Sequence, residues 1–181
     1  VTYERLSGTH VLRDFVELPS QLFEHWAFDP AVLERHARHA DTGEPIPHEL
    51  VLRVRSARRF NQGFETVEYA ACALLDMALH ASEDPEGVDV AAFEVAELAR
   101  IGMPREIVLR HRLPQFDHLF GGNGYAAGYY VYLWAEVLDA DGYEAFKEAG
   151  DPFDPRVAGL LRRYVYASGN SLEPGAAYAA F

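Results

Sequence analysis

The sequence predicts an all-α fold, and three observations carry that expectation. Apolar residues recur at steps of three and four along most of the chain, several of the segments so formed open on Asp-Pro or close on glycine, and no strong strand alternation interrupts them. Neither an internal repeat nor a low-complexity tract is present, so residues 1–181 are expected to form a single helical unit.

In chain order, "DFVELPSQLFEHW" places Phe15, Leu18, Leu22 and Trp26 on one line and Asp14, Glu17, Gln21 and Glu24 on the opposite one. Pro19 falls inside this segment and should bend it or mark its first turn. "DPAVLERHARHA" begins with Asp29 as N-cap and Pro30 at the first helical position, and "DTGEPIP" after it is a loop. The basic, amphipathic "PHELVLRVRSARRFNQ" is separated by Gly63 from "FETVEYAACALLDMALHA", which is long enough for five turns and is expected to be the most buried helix. An acidic connector, "SEDPEGVD", leads to "VAAFEVAELARIG", stopped at Gly102. "MPREIVLRHRLPQF" allows an extended piece or a short helix, because two prolines enclose its apolar "IVL". "YAAGYYVYLWAEVLDADGYEAFKEAG" reads as one helix broken near Asp141 and Gly142, and "DPRVAGLLRRYVYASG" repeats the Asp-Pro start and glycine stop.

Composition narrows the function. A chain of 181 residues with 49% apolar content can bury a real core. Its net charge of −12, from 28 acids against 16 bases without a basic block, argues against a nucleic-acid partner. Cys72 stands alone, which excludes a disulfide framework or a thiolate metal cluster and suits a small core residue. No run approaches a membrane span and no signal-peptide pattern opens the chain, so a cytoplasmic protein without a membrane partner is expected. The chain begins at Val1 without Met and ends on "AAYAAF", as a piece of something longer would.

Several residues could carry chemistry. "HELVL" at His48 starts like the zinc-binding His-Glu-x-x-His, but its fifth position is Leu52, so His48 and Glu49 read as an exposed helix start. His36 and His39, three apart on a polar face, are better read as solvated than as metal ligands. Glu17 is either part of a solvated face or a carboxylate metal ligand, with Asp14 one turn back accepting from the N–H of a ligating histidine. In "HLFGGNGYAAGYYVYLW", Tyr125, Tyr129 and Tyr132 would share one face of a helix, while Tyr130 would point elsewhere. Phenols are neutral donors suited to a developing oxyanion, and Gly121, Gly122 and Gly124 allow a tight or mobile loop. An aromatic core stripe after a turn explains the same spacing equally well.

Two blocks, "LSGTHVLRDFVELPSQLFEHW" and "HLFGGNGYAAGYYVYLW", with "ASGNS" at 167–171, resemble the thimet oligopeptidase, oligopeptidase A and peptidyl-dipeptidase family of zinc metallopeptidases over essentially the whole chain. The resemblance implies the C-terminal, multi-helix part of a zincin-type catalytic domain, with Glu17 as third zinc ligand and Asp14 behind a ligating histidine. It implies that His118 and Tyr125 bind substrate and stabilise the tetrahedral intermediate, that Tyr132 donates to its oxyanion, and that Tyr129 lines the cleft with the glycines. Short peptides would be the substrates. The family's His-Glu-x-x-His is absent from this sequence and would lie upstream, so zinc is expected to bind poorly and the chain alone to be inactive. A second departure is the loop between His118 and Tyr125, one or two residues longer than the family's, with Asn123 the extra residue. The partner would then be the remainder of the same protein, and surface left uncovered could promote self-association. The alternative is a non-enzymatic all-α module binding a peptide or partner through its tyrosines.

Overall fold

A computed structural model of the chain describes residues 3–84, 86–122 and 124–181. It is all-α: among the described residues the one β feature is an isolated bridge between Arg38 and Pro45. Among the described residues no helix is long and apolar enough to cross a membrane. Contacts group the chain into two compact units, Val1–Arg58 with Tyr132–Phe181, and Arg59–Val131.

The first unit contains α1 (Arg13–Val16), α2 (Leu18–Ala27), α3 (Pro30–His36) and α4 (His48–Ala57). It also holds α8 (Val131–Glu148) from Tyr132 onward, α9 (Pro155–Leu161) and α10 (Pro174–Ala180). Pro19 acts as expected: lying in the first turn of α2, it has no N–H to continue the ladder of α1, and the helix restarts after Glu17. The apolar line Phe15, Leu18 and Leu22 is buried, in one cluster with Tyr143, Phe146, Val157, Leu161 and Val165. Trp26 meets the rings of Tyr143 and Phe146 edge-on, each at 4.9 Å, and donates its indole N–H to the Pro152 carbonyl at 2.7 Å. Asp29 caps α3, its Oδ1 accepting from the Ala31 and Val32 amides, while Oδ2 accepts from the Tyr143 hydroxyl at 3.1 Å. Burial and that neighbouring carboxylate push the Tyr143 phenol up to about 12.

Three boundaries differ from the sequence expectation. α3 ends at His36, and the chain turns back through Gly43 at φ +72 instead of continuing to Ala40. The separator between α4 and α5 (Gln62–His80) is Asn61, at φ 57, and Gly63 lies inside the first turn of α5. α8 runs unbroken through Gly142, where the missing Cβ serves packing, since one built there would lie 3.1 Å from the Phe181 ring. Gly102 and Gly169 do stop their segments in the left-handed region, at φ +69 and +53. Between α9 and Gly169 the helix loosens to a π turn, Arg162–Tyr166.

The second unit holds α5, α6 (Val90–Arg100) and α7 (Asp117–Phe120). Burial on α5 is confined to its later half, at Ala71, Cys72, Ala73, Leu75 and Asp76, while Phe64, Val67, Leu74 and Met77 are exposed. The undecided stretch after Gly102 is irregular up to a 3-10 turn at Leu113–Gln115. The buried Glu94 of α6 holds its end, Oε1 accepting from the Leu113 amide at 2.6 Å and Oε2 from the Arg112 guanidinium at 2.5 Å.

Two stability outcomes follow. Leu22→Ala, at a position with no exposed surface, should cost about 3 kcal/mol, read from the urea midpoint at unchanged slope. Gly142→Ala should not give the roughly 1 kcal/mol usually gained on replacing a mid-helix glycine, and should give it once Phe181→Ala has removed the ring. Equal effects in both backgrounds would show that the contact contributes nothing.

Candidate active site

The glycine and tyrosine stretch lies against α5. Tyr69, Asp76 and His80, seven and four residues apart, share one face of that helix. Asp76 is fully buried; its Oδ1 accepts from the Ala127 amide and its Oδ2 from the Tyr129 amide, each at 2.9 Å. His80 Nδ1 lies 2.8 Å from Oδ1, and the Tyr69 hydroxyl donates to the Tyr129 carbonyl. Ala127 is in the left-handed region at φ 55, and α8 begins only at Val131.

This corrects the expected helical face. Tyr125 and Tyr129 sit in consecutive turns ahead of α8, so they do not share a helical stripe with Tyr132. Left-handed backbone at Ala127 cannot propagate a right-handed helix, and the Tyr129 amide that would join its ladder is taken by Asp76. Tyr130 is exposed.

Within this unit three of the candidate side chains come together. The His118 ring, on α7, lies 5.7 Å from Tyr125 and 5.6 Å from Tyr129, both near edge-on. Phe116 meets Tyr129 edge-on at 4.6 Å, Tyr69 stacks on Tyr129 at 4.9 Å, and His111 stacks on Phe116 at 4.9 Å. Tyr129 is buried at the centre, and burial raises its phenol above the usual value, helped by Cys72. Tyr125 is half-buried and His118 exposed, so these two can meet a ligand. Burial pushes the Cys72 thiol up as well, which suits the expected core residue. His111 is shifted down, first by burial and then by the charges of Arg110 and His118.

The glycines differ in what they permit. A Cβ at Gly121 would come within 2.5 Å of the Asp117 carboxylate and 2.8 Å of its carbonyl, whereas Gly122 faces open space. Gly124 is half-buried. Asn123 lies outside the described residues.

Glu17, Asp14 and Tyr132 belong to the other unit. Glu17 occupies the junction between α1 and α2, half-buried, with Oε2 accepting from the Ser20 hydroxyl at 3.2 Å. Asp14 lies one turn back on α1 and is half-buried too. Gln21 leaves the polar line predicted for it: its side-chain amide donates to the Tyr132 carbonyl at 3.1 Å, joining α2 to the start of α8. Behind it, His25 Nε2 lies 2.7 Å from the buried Asp139, whose carboxyl burial raises and His25 lowers.

The remaining histidines behave as surface groups. His48 opens α4 beside Glu34 at 3.3 Å. His36 ends α3, and His39 sits in the following turn with Nδ1 accepting from the Asp41 and Thr42 amides. Among the described residues no three His, Cys, Asp or Glu side chains gather as a metal site.

Comparison with known proteins gives one family. The model of Peptidase family M3 matches residues 1–181. The chain is 44% identical to dipeptidyl carboxypeptidase of Salmonella typhimurium over 99% of its length, which is 26% of that protein. It is 46% identical to dipeptidyl carboxypeptidase of Escherichia coli over 93% of the chain and 25% of that protein. It is 39% identical to oligopeptidase A of Salmonella typhimurium over 76% of the chain and 20% of that protein. The chain thus spans about a quarter of the length of the first of these relatives.

The aromatic cluster has a pH consequence. A histidine whose folded value lies below its usual 6.5 favours the neutral form in the fold, so the stability it supports is present above that value and lost as pH falls below it. His111→Gln should flatten the acid-side decline in Tm between about pH 7 and about pH 5. An unchanged slope would remove His111 from the cluster's titration.

Proposed function

Because the chain belongs to peptidase family M3, we propose that it forms part of a metallopeptidase that hydrolyses peptide bonds of short peptides. The observation that carries this reading is the grouping of His118, Tyr125 and Tyr129 on a turn that no regular helix would produce. A neutral phenol can donate to an oxyanion without acting as a base, and an imidazole beside it can bind or orient the same carbonyl. In this reading His118 and Tyr125 hold the substrate, Tyr132 donates to the oxygen on which charge develops, and Tyr129 sets the wall behind them. Gly122, which faces open space, would leave room for the peptide backbone, while Gly121 and Gly124 shape the loop.

The metal of such an enzyme would be zinc, which polarises a peptide carbonyl and activates a water. Glu17, half-buried at a helix junction, would serve as one carboxylate ligand, and Asp14, one turn back, would accept from a ligating histidine. One donor is not a complete set, so the described residues would not hold the ion by themselves. The other ligands and the general base would come from the remainder of the full-length protein.

Between the two activities named for the relatives, we favour release of C-terminal dipeptides. Identity is 44% and 46% to the two dipeptidyl carboxypeptidases, against 39% to oligopeptidase A over a shorter stretch. Mass spectrometry of products should show sequential loss of two residues from free C-termini, and internal cleavage of an amidated peptide would overturn this choice.

The residue assignments separate cleanly in the full-length protein. Glu17→Ala should lose the metal, whereas Tyr132→Phe should keep it and lower kcat roughly a hundredfold. Equal zinc content in the Glu17 variant would refute the ligand. The isolated chain should be inactive and should self-associate through exposed apolar side chains such as Trp134 and Val137 on α8, 53% and 64% exposed. A single monomeric species in light scattering over a wide concentration range would count against that.

A further inference from the structure

We infer that Asp76 is the positioning residue of the tyrosine stretch: its carboxylate fixes the backbone of residues 125–130, and thereby the directions in which Tyr125 and Tyr129 leave it. The segment has no helix or strand of its own. Its amides at Ala127 and Tyr129 both find their acceptor in this one side chain, and the Tyr129 carbonyl takes the Tyr69 hydroxyl from the same face of α5.

Two further features show that the shape is imposed from outside. Ala127 holds φ 55, which glycine adopts freely and alanine does not, so an external hydrogen bond must keep it there. Asp76 has no exposed surface, and a carboxylate in that position is tolerated only when donors fill it. Two of its donors are the amides of the tyrosine stretch, and His80 Nδ1 lies 2.8 Å from Oδ1 and 2.9 Å from the Asp76 carbonyl. Helix and loop therefore satisfy each other. His80 also stacks on Phe120 at 6.3 Å, at the end of α7, so the carboxylate and imidazole pair reaches both ends of the loop.

The catalytic consequence rests on the reading of Tyr125 as a substrate-binding phenol, while the positioning itself does not. In the full-length protein, Asp76→Asn keeps one acceptor oxygen and loses the other. Hydrogen exchange at residues 125–131 should become roughly tenfold to a hundredfold faster, with exchange along α6 unchanged. At equal metal content kcat/KM for a short peptide should fall about tenfold with a raised KM, since a mere loss of folded enzyme would lower kcat alone. Ala127→Gly in the Asp76→Asn background should restore part of both. If Asp76→Asn does not accumulate, His80→Gln should give the same pattern at smaller amplitude.

Unchanged exchange at 125–131, or equal acceleration throughout α6, overturns the inference. So does full kcat/KM in Asp76→Asn when Tyr125→Phe lowers it. If Tyr125→Phe also leaves kcat/KM intact while 125–131 exchanges faster, the positioning stands and the substrate-binding role of Tyr125 falls.

Discussion

A carboxylate with no access to water must have its oxygens filled by N–H donors, and much of the unit formed by residues 59–131 follows from meeting that demand twice. Asp76 on α5 and Glu94 on α6 are both buried, and both take main-chain amides from segments outside the α-helices. The helices are ordinary amphipathic elements. What distinguishes the unit is that two of its irregular stretches, before α7 and after it, borrow their shape from acids planted in helices. Such groups are poor sources of net stability, because removing two charges from water offsets most of the attraction gained. Their effect here is selective: a turn that could adopt many conformations is left with one that satisfies the acid.

In the other unit the apolar cluster gathers the helices and polar links set their register. Asp29 divides its oxygens between its own helix start and Tyr143, and Trp26 and His25 on α2 reach Pro152 and Asp139. Gln21 and Tyr132 add a further link at the end of α2 nearest Glu17. The junction that carries the half-buried Glu17 is thus built on a helix anchored at several points, which is the support a proposed ligand would need if its carboxylate is to be held in one direction.

Much of this was legible in the sequence where a single local cause decides. Asp29 and Asp154 cap the helices they were expected to cap, Pro19 divides α1 from α2, and Gly102 and Gly169 end their segments. The apolar line of α2 also gave its buried face. The sequence misled where a distant group outvoted the local pattern. Gly142 reads as a break, yet the Phe181 ring occupies the space beside it and the helix continues. The tyrosine spacing fits a helix, yet Asp76, fifty-three residues before Tyr129, takes the amide that helix would use. One clue was available: an acid in the middle of "ACALLDMAL" is out of place in an apolar stretch, and a buried polar residue calls for a partner elsewhere. His111 and Tyr69 carried no comparable mark, since aromatic side chains in a core need no special explanation.

The division of the chain bears on the order in which it can fold. Residues 59–131 form one uninterrupted stretch, whereas the other unit is assembled from two pieces separated by the whole of that stretch. Its polar links join residues more than a hundred positions apart, such as His25 with Asp139 and Trp26 with Pro152. On a ribosome the middle stretch is complete before the second piece emerges, and its own contacts span far shorter separations. Once compact, it shortens the effective loop that must close to bring α2 and α8 together, which lowers the entropy lost in that step. A carboxylate that holds the tyrosine turn in place would then act early, by closing the stretch on which the later assembly depends.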